Sequence, residues 1–302
     1  MAETVAELIG TYSLETILLL IGLISLGILG AWSLFETYDE RLWHHGSQLL
    51  GHLKQWAPLQ WLAKRFPSLW SFMARRFAPE DYLGLHLTIG LVVTLIGVQI
   101  FGKLSDIIIE QESLINFDQL LSTSLHQQAS PLEILLFRTI TALGGPYVTT
   151  TLGIGVALLL FIYRQRLLAI GWIIAVFGGG LVNLLLKAIF QRPRPTFDVP
   201  LVTEIGWSFP SGHAMGSLII YGMLAYLLVI WVDHRWDKLI VVLAVAVIIL
   251  IGFSRIYLGA HYFSDVVAGF AAGLVWLAIC ISGLEIARRH QARPEPHVVQ
   301  KG

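Results

Sequence analysis

The chain has 302 residues, of which 56% are apolar and 13% charged, and its formal net charge at pH 7 is +0. So little charge, separated by such long uncharged stretches, excludes a water-soluble domain and defines an integral membrane protein. The neutral balance also argues against a nucleic-acid partner, which would call for a cationic surface.

Windows free of Asp, Glu, Lys and Arg predict seven membrane-crossing helices, over residues 16–35, 82–102, 139–163, 167–186, 205–232, 239–254 and 266–284. Most reach the roughly 20 residues that cross about 30 Å of hydrocarbon, and their unbroken apolarity fits helices rather than an alternating barrel strand. The expected architecture is an all-α polytopic bundle. The segment before the first span is acidic through Glu3 and Glu7 and has no basic run, which fits a retained span rather than a cleaved signal.

Between the first two spans lie Arg41, Lys54, Lys64, Arg65, Arg75 and Arg76. These cations make that segment cytoplasmic. Strict alternation then puts Arg164 and Arg166, Arg235 and Lys238, and Arg288 and Arg289 on the same side. The stretch from Tyr38 to Pro79 interleaves Trp43, Trp56, Trp61, Phe66, Trp70 and Phe72 with these cations and is broken by Pro58 and Pro67, as expected of short helices in the headgroup region. Gly144, Gly145 and Pro146 read as the turn entering the third span.

The end of the fourth span breaks the charge rule. Lys187, Arg192 and Arg194 fall on the outer side, and Pro193 and Pro195 stop the helix and stiffen the loop. The fifth span opens with "PSGH" at 210–213. The sixth has normal length only if it continues through Arg255 to about Leu258, and a charge inside a span marks a function by default. The seventh begins at His261, with Asp265 four residues on. Cys280, the single cysteine, reads as a packed thiol without a role, and His44, His45, His52, His86, His126 and His234 read as interfacial or satisfied histidines.

The three polar clusters thus meet at one face. Lys187, Arg194 and Arg255 can clamp a tetrahedral dianion, Arg by forked hydrogen bonds and Lys as a point charge. The free N–H groups of Ser211, Gly212 and His213 at a helix start can face a phosphate oxygen. His261 and Asp265, one helical turn apart, pair as a nucleophile and its orienter, leaving His213 as an acid. Arg192 reads either as a further binding group or as an exposed loop cation.

"KAIFQRPRP", "PSGH" and "SRIYLGAHYFSD", in this order, resemble the three signature motifs of the type 2 phosphatidic acid phosphatase (PAP2) superfamily. The resemblance covers about 81–288 and implies a six-span core preceded by one extra span. It divides the chain into an extension at 1–80, a phosphatase core at 81–288 and a cytoplasmic tail at 289–302. It implies phosphate binding by Lys187, Arg194, Arg255, Ser211 and Gly212. It also implies attack by His261 to form a phosphohistidine, orientation by Asp265 and proton transfer by His213.

The expected function is hydrolysis of a membrane lipid phosphate or diphosphate, such as undecaprenyl diphosphate, phosphatidylglycerophosphate or phosphatidic acid, at the outer face of the plasma membrane. Alternatives are a lipid phosphotransferase using the same intermediate, or a lipid-binding or transport protein without catalysis. A vanadium haloperoxidase shares the motifs, yet those enzymes are typically soluble. Three cations would repel a zinc ion from the histidines, so no metal or other cofactor is expected. The expected partners are the lipid substrate and the bilayer; the sequence carries no signal for oligomeric state.

Overall fold

The computed structural model describes residues 2–55, 61, 64–67, 82–110 and 112–292. Its helices are α1 (Ala2–Thr11), α2 (Ser13–Gln55), α3 (Tyr82–Glu110), α4 (Glu112–Gln127), α5 (Pro131–Leu143), α6 (Pro146–Ile162), α7 (Arg166–Phe190), α8 (Gly212–Trp231), α9 (Asp237–Tyr257) and α10 (Phe263–Ala292). The described residues contain no strand. Seven helical stretches among them are long and apolar enough to cross a membrane. Large apolar side chains such as Leu18, Leu23, Leu95, Leu158, Leu184 and Ile189 face outward, as a lipid solvent requires. The protein is an all-helical, multi-pass membrane protein.

Local chemistry sets the helix limits. Ser130 and Glu133 form a capping box at the start of α5, with Pro131 in the first turn. Gly145 and Pro146 start α6, where the expected turn before the third span lies. α9 runs through Arg255 to Tyr257, the extension that the short sixth window required.

Two expectations are revised. The fifth span begins at Gly212 rather than 205, because 205–211 belongs to a loop. The first span, Ser13–Leu34, lies where expected, but in place of short helices after it the same helix continues to Gln55. At 1.5 Å per residue its 43 residues are about 65 Å long, roughly twice the hydrocarbon thickness, so its second half leaves the membrane. Much of the expected interfacial linker, including Trp56, Pro58, Trp70, Phe72, Arg75 and Arg76, lies outside the described residues, as does the tail from 293.

Lipid tails are as apolar as leucine, so these helices associate through close packing and hydrogen bonds rather than by escaping water. One close seam joins α8 to α10 through Gly269 and Gly273, a small-residue pair at four-residue spacing. A Cβ on Gly269 would stand 2.7 Å from the Ser211 carbonyl oxygen, and one on Gly273 3.1 Å from the Met215 carbonyl oxygen. The Ser211 N–H donates across this seam to the Asp265 carbonyl at 2.9 Å. Trp172, Met215, Ile219, Met223 and Leu277 form one buried cluster of this core.

A second cluster ties the N-terminal helices to the same body: Ala6 and Ile17 pack with Leu121, Leu125, Phe137 and Tyr257. Ser13 Oγ donates to Glu133 Oε1 at 2.7 Å, and the Tyr257 hydroxyl donates to the other oxygen at 3.0 Å. α1 lies along α4, and α2 along α9. Both α1 and α4 are too polar or too short to appear as spans.

Candidate active site

Segment 191–211, the turn at 258–262 and the first turn of α8 gather at the end of the bundle where α7 and α9 finish and α8 and α10 begin. α7 ends because Gln191 adopts a left-handed backbone with φ 45° and two prolines follow. Its last turns present Asn183 and Lys187 on one face. Lys187 Nζ donates to the Trp207 carbonyl, and Asn183 Nδ2 donates to the Pro210 carbonyl at 3.5 Å. Gly212 lies against that face; a Cβ there would stand 3.0 Å from Asn183 Oδ1, a space only glycine leaves free.

Arg194 is held by the backbone on both sides. Its Nε donates to the Gly206 carbonyl at 3.0 Å and its Nη1 to the Ala260 carbonyl at 2.8 Å. The same Nη1 lies 3.1 Å from His261 Nε2. His261 Nδ1 lies 3.3 Å from Ser208 Oγ and 3.5 Å from Asp265 Oδ2. The pair forms as expected, but His261 precedes the helix rather than standing on it. Its N–H is tied to the Arg255 carbonyl at 3.1 Å, whereas Asp265 occupies the third position of α10 and accepts the Tyr262 N–H at 2.9 Å. Burial draws the His261 imidazole down to about 4, with Asp265 opposing and Arg255 and Arg194 reinforcing the shift.

Arg255, 2% exposed, donates from Nη1 to Thr141 Oγ1 at 2.9 Å and from Nη2 to Glu204. Its buried Nε has no acceptor. A buried guanidinium donor without a partner is costly, and an anionic oxygen would satisfy it. Burial alone raises the Glu204 carboxyl, but Arg255, His213 and Arg194 outweigh it and hold the group below the ordinary range.

A cavity of about 480 Å³ is lined by Lys187, Arg194, Glu204, Gly212, His213 and His261 among others. Five of the eight predicted residues therefore share one polar chamber, and Arg255 reaches it through Glu204. Asp265 and Ser211 are fully buried. Ser211 departs from expectation because its N–H is taken by Asp265 and its hydroxyl caps the Ala214 N–H at 3.4 Å. It shapes the turn, and the helix-start N–H groups left to face the chamber are those of Gly212 and His213.

Arg192 is neither a chamber residue nor an exposed cation. It is 8% exposed and bridges Asp118 at 2.9 Å and Asp265 at 2.6 Å. Among the described residues, no group of three or more His, Cys, Asp and Glu side chains is placed to hold a metal ion.

A second cavity of about 610 Å³ lies between α6, α7 and α8, lined largely by apolar groups such as Pro146, Val176, Phe177 and Ile220. Asn183, Leu184, Gly212 and His213 line both cavities, so the polar chamber and the apolar groove adjoin. Ser208, Glu204, Thr141 and Asp118 escaped the sequence reading. Asn183 could have been found as the one amide in an otherwise apolar span.

An apolar helical bundle thus carries a cationic, histidine-bearing chamber at one end, a chemistry that suits a phosphoryl-like anion. The PAP2 superfamily model matches residues 166–289. Phosphatidylglycerophosphatase B of Bacillus subtilis is 38% identical over 123 residues, covering 38% of this chain and 58% of the relative. An undecaprenyl-diphosphatase of Sulfolobus acidocaldarius is 31% identical over 124 residues, covering 39% of this chain and 55% of the relative. The crystal structure of a transmembrane PAP2-type phosphatidylglycerolphosphate phosphatase from Bacillus subtilis matches with TM-score 0.58 and 25% identity, over 68% of this chain and 98% of that one. The chain is thus similar, over residues 166–289, to the PAP2 superfamily. It spans about half the length of the curated relatives it matches.

Proposed function

We propose that the protein is a membrane lipid phosphatase that works through a phosphohistidine. The observation that carries the reading is the junction of the two cavities at Gly212 and His213, where a phosphate in the polar chamber would have its apolar chain in the groove. Lys187, Arg194 and Arg255 would take the phosphate oxygens, with Arg255 Nε finding the acceptor it lacks. Asp265 fixes the Nδ1–H tautomer of His261, so the Nε2 lone pair attacks phosphorus. The bond from phosphorus to the leaving oxygen breaks as His213 gives that oxygen a proton. Water then attacks the phosphohistidine, His213 takes its proton, and inorganic phosphate leaves with His261 restored.

Undecaprenyl diphosphate, phosphatidylglycerophosphate and phosphatidic acid are the proposed substrates; relatives named for the first two support those choices. The core is 81–288, preceded by the extension at 1–80 and followed by the tail at 289–302. The chamber faces the outer side of the plasma membrane, because the cations before α3 and at 164/166, 235/238 and 288/289 outvote one catalytic loop. An outward site suits a carrier lipid that presents its phosphate there after delivering its cargo.

The test is phosphate release by purified protein from a panel of isoprenoid and glycerolipid phosphates, with water as the sole acceptor. Release from long-chain lipids that is lost in His261→Ala supports hydrolysis. Turnover seen only when a second lipid or sugar is added identifies a phosphotransferase instead.

A further inference from the structure

Asp265 uses one carboxylate oxygen on the His261 side and the other on a network that the reaction scheme does not include. Oδ2 accepts from Ser208 and from the Tyr262 N–H. Oδ1 accepts Arg192 Nη1 at 2.6 Å. The same Nη1 donates to Ser264 Oγ at 2.7 Å, while Nη2 donates to Asp118 Oδ2 at 2.9 Å. The Ser264 N–H donates to Asp118 Oδ1 at 3.0 Å, and its hydroxyl donates to Oδ2. The Arg192 guanidinium also lies 4.3 Å from the centre of the Tyr262 ring. Asp118, Ser264 and Asp265 are at most 1% exposed and Arg192 is 8% exposed, yet neither Arg192 nor Asp118 lines the phosphate chamber.

We propose that Arg192 and Asp118 are positioning residues for the phosphoryl-transfer step: Asp118, fixed to α10 through Ser264, aims the Arg192 fork, and the fork locks the Asp265 carboxylate so that Oδ2 faces His261 Nδ1. A carboxylate held at one oxygen alone can rotate about its Cβ–Cγ bond. Gripping the far oxygen with a planar guanidinium removes that freedom, because its two Nη groups hold Asp265 and Asp118 in one fixed fork. The chain of contacts runs from α4, outside the spans, to the nucleophile. It rests on the proposed role of His261.

A double-mutant cycle in the full-length protein tests it, with kcat, KM and phosphoenzyme level as readouts. Arg192→Gln is expected to lower kcat and the rate of phosphoenzyme formation by about 10- to 100-fold, the usual cost of losing an outer support, with KM within about twofold. In an Asp265→Asn background the same change should cost less than about threefold, since the group it positions is already gone. Asp118→Asn, which keeps the shape and one acceptor, should follow the same pattern with a smaller loss, and it serves if Arg192→Gln does not fold. Equal losses in both backgrounds, or a loss confined to thermal stability, would overturn the positioning role. Full turnover by His261→Ala would instead remove the phosphohistidine reading on which the proposal stands.

Discussion

His261 and Asp265 meet across 3.5 Å, Nδ1 to Oδ2, with Ser208 Oγ beside both and Arg194 Nη1 on the opposite ring nitrogen at 3.1 Å. One ring edge is thus oriented by a carboxylate while the other faces a cation that a phosphate would recruit. Asp265→Asn keeps the volume but loses the tautomer control, so kcat is expected to fall by about 10²- to 10⁴-fold. Ser208→Ala should cost less, because the carboxylate retains Arg192 and the Tyr262 N–H. Steady-state kinetics on the two variants checks the ranking.

The depressed pKa of His261 has two consequences with a defined sign. Its folded value, about 4, lies below the unfolded value of roughly 6.5, so the unfolded chain binds the proton first as pH falls. Stability from this group is complete above roughly 6.5, is lost as pH drops through the window to about 4, and is constant below it. The ring should also stay neutral and reactive in substrate-free protein. Carbethoxylation of the His261 peptide, followed by mass spectrometry against pH, should show a midpoint near about 4; a midpoint near roughly 6.5 would contradict the environment described.

Glu204 pairs with Arg255 Nη2. If the phosphate proposed to bind Arg255 also takes the Nη2 that Glu204 holds, Glu204→Ala should tighten competitive inhibition by orthovanadate, by about tenfold if the exchange costs about 1.4 kcal/mol. Weaker inhibition would mean that Glu204 instead holds Arg255 in its working pose. Because protein cations supply the charge, addition of EDTA should leave turnover unchanged in both proteins.

The positions of most chemical groups were legible before the fold, because Lys187, Arg194, Arg255, His213 and His261 stand at the ends of apolar runs where charge is expensive. What stayed hidden depends on contacts between distant segments. Arg192 read as either a further binding group or an exposed loop cation because its two carboxylates come from α4 and α10, one of them 74 residues away in sequence. Ser211 looked like a phosphate ligand because its pairing with the Asp265 carbonyl follows from the Gly269 seam, which no spacing within "PSGH" reveals. α1 and α4 carry no apolar run, so their existence follows from packing rather than hydropathy.

The seam itself can be tested. Gly269→Ala drives a methyl against the Ser211 carbonyl, which is backbone and cannot swing aside, so it should cost about 1–3 kcal/mol and lower activity. Gly155→Ala, with nothing within 4 Å of the new Cβ, should do neither. Thermal melts in detergent compare the two.

A groove that holds the lipid chain would also set chain-length specificity. Gly180 lines the groove, and a Cβ there meets nothing within 4 Å. Gly180→Leu should fit without unfolding the protein and should raise KM for a long-chain lipid phosphate several-fold or more, while leaving a short, soluble phosphate ester unaffected. An equal change for both substrates would place the chain elsewhere.

Orientation follows from reagent access. In a Cys280→Ser background, a cysteine at Thr203 should react with a membrane-impermeant thiol reagent in intact cells, and one at Asp233 should not. The reverse pattern would move the chamber to the cytoplasmic leaflet without altering its chemistry.

The proposed mechanism stands most directly on where the phosphoryl group goes. Purified protein mixed with a radiolabelled lipid phosphate, quenched within one turnover and mapped by mass spectrometry, should carry an acid-labile phosphoryl group on His261, absent in His261→Ala and accumulating when His213→Ala slows its hydrolysis. Turnover without any phosphoenzyme, or with the label on another residue, would contradict the account.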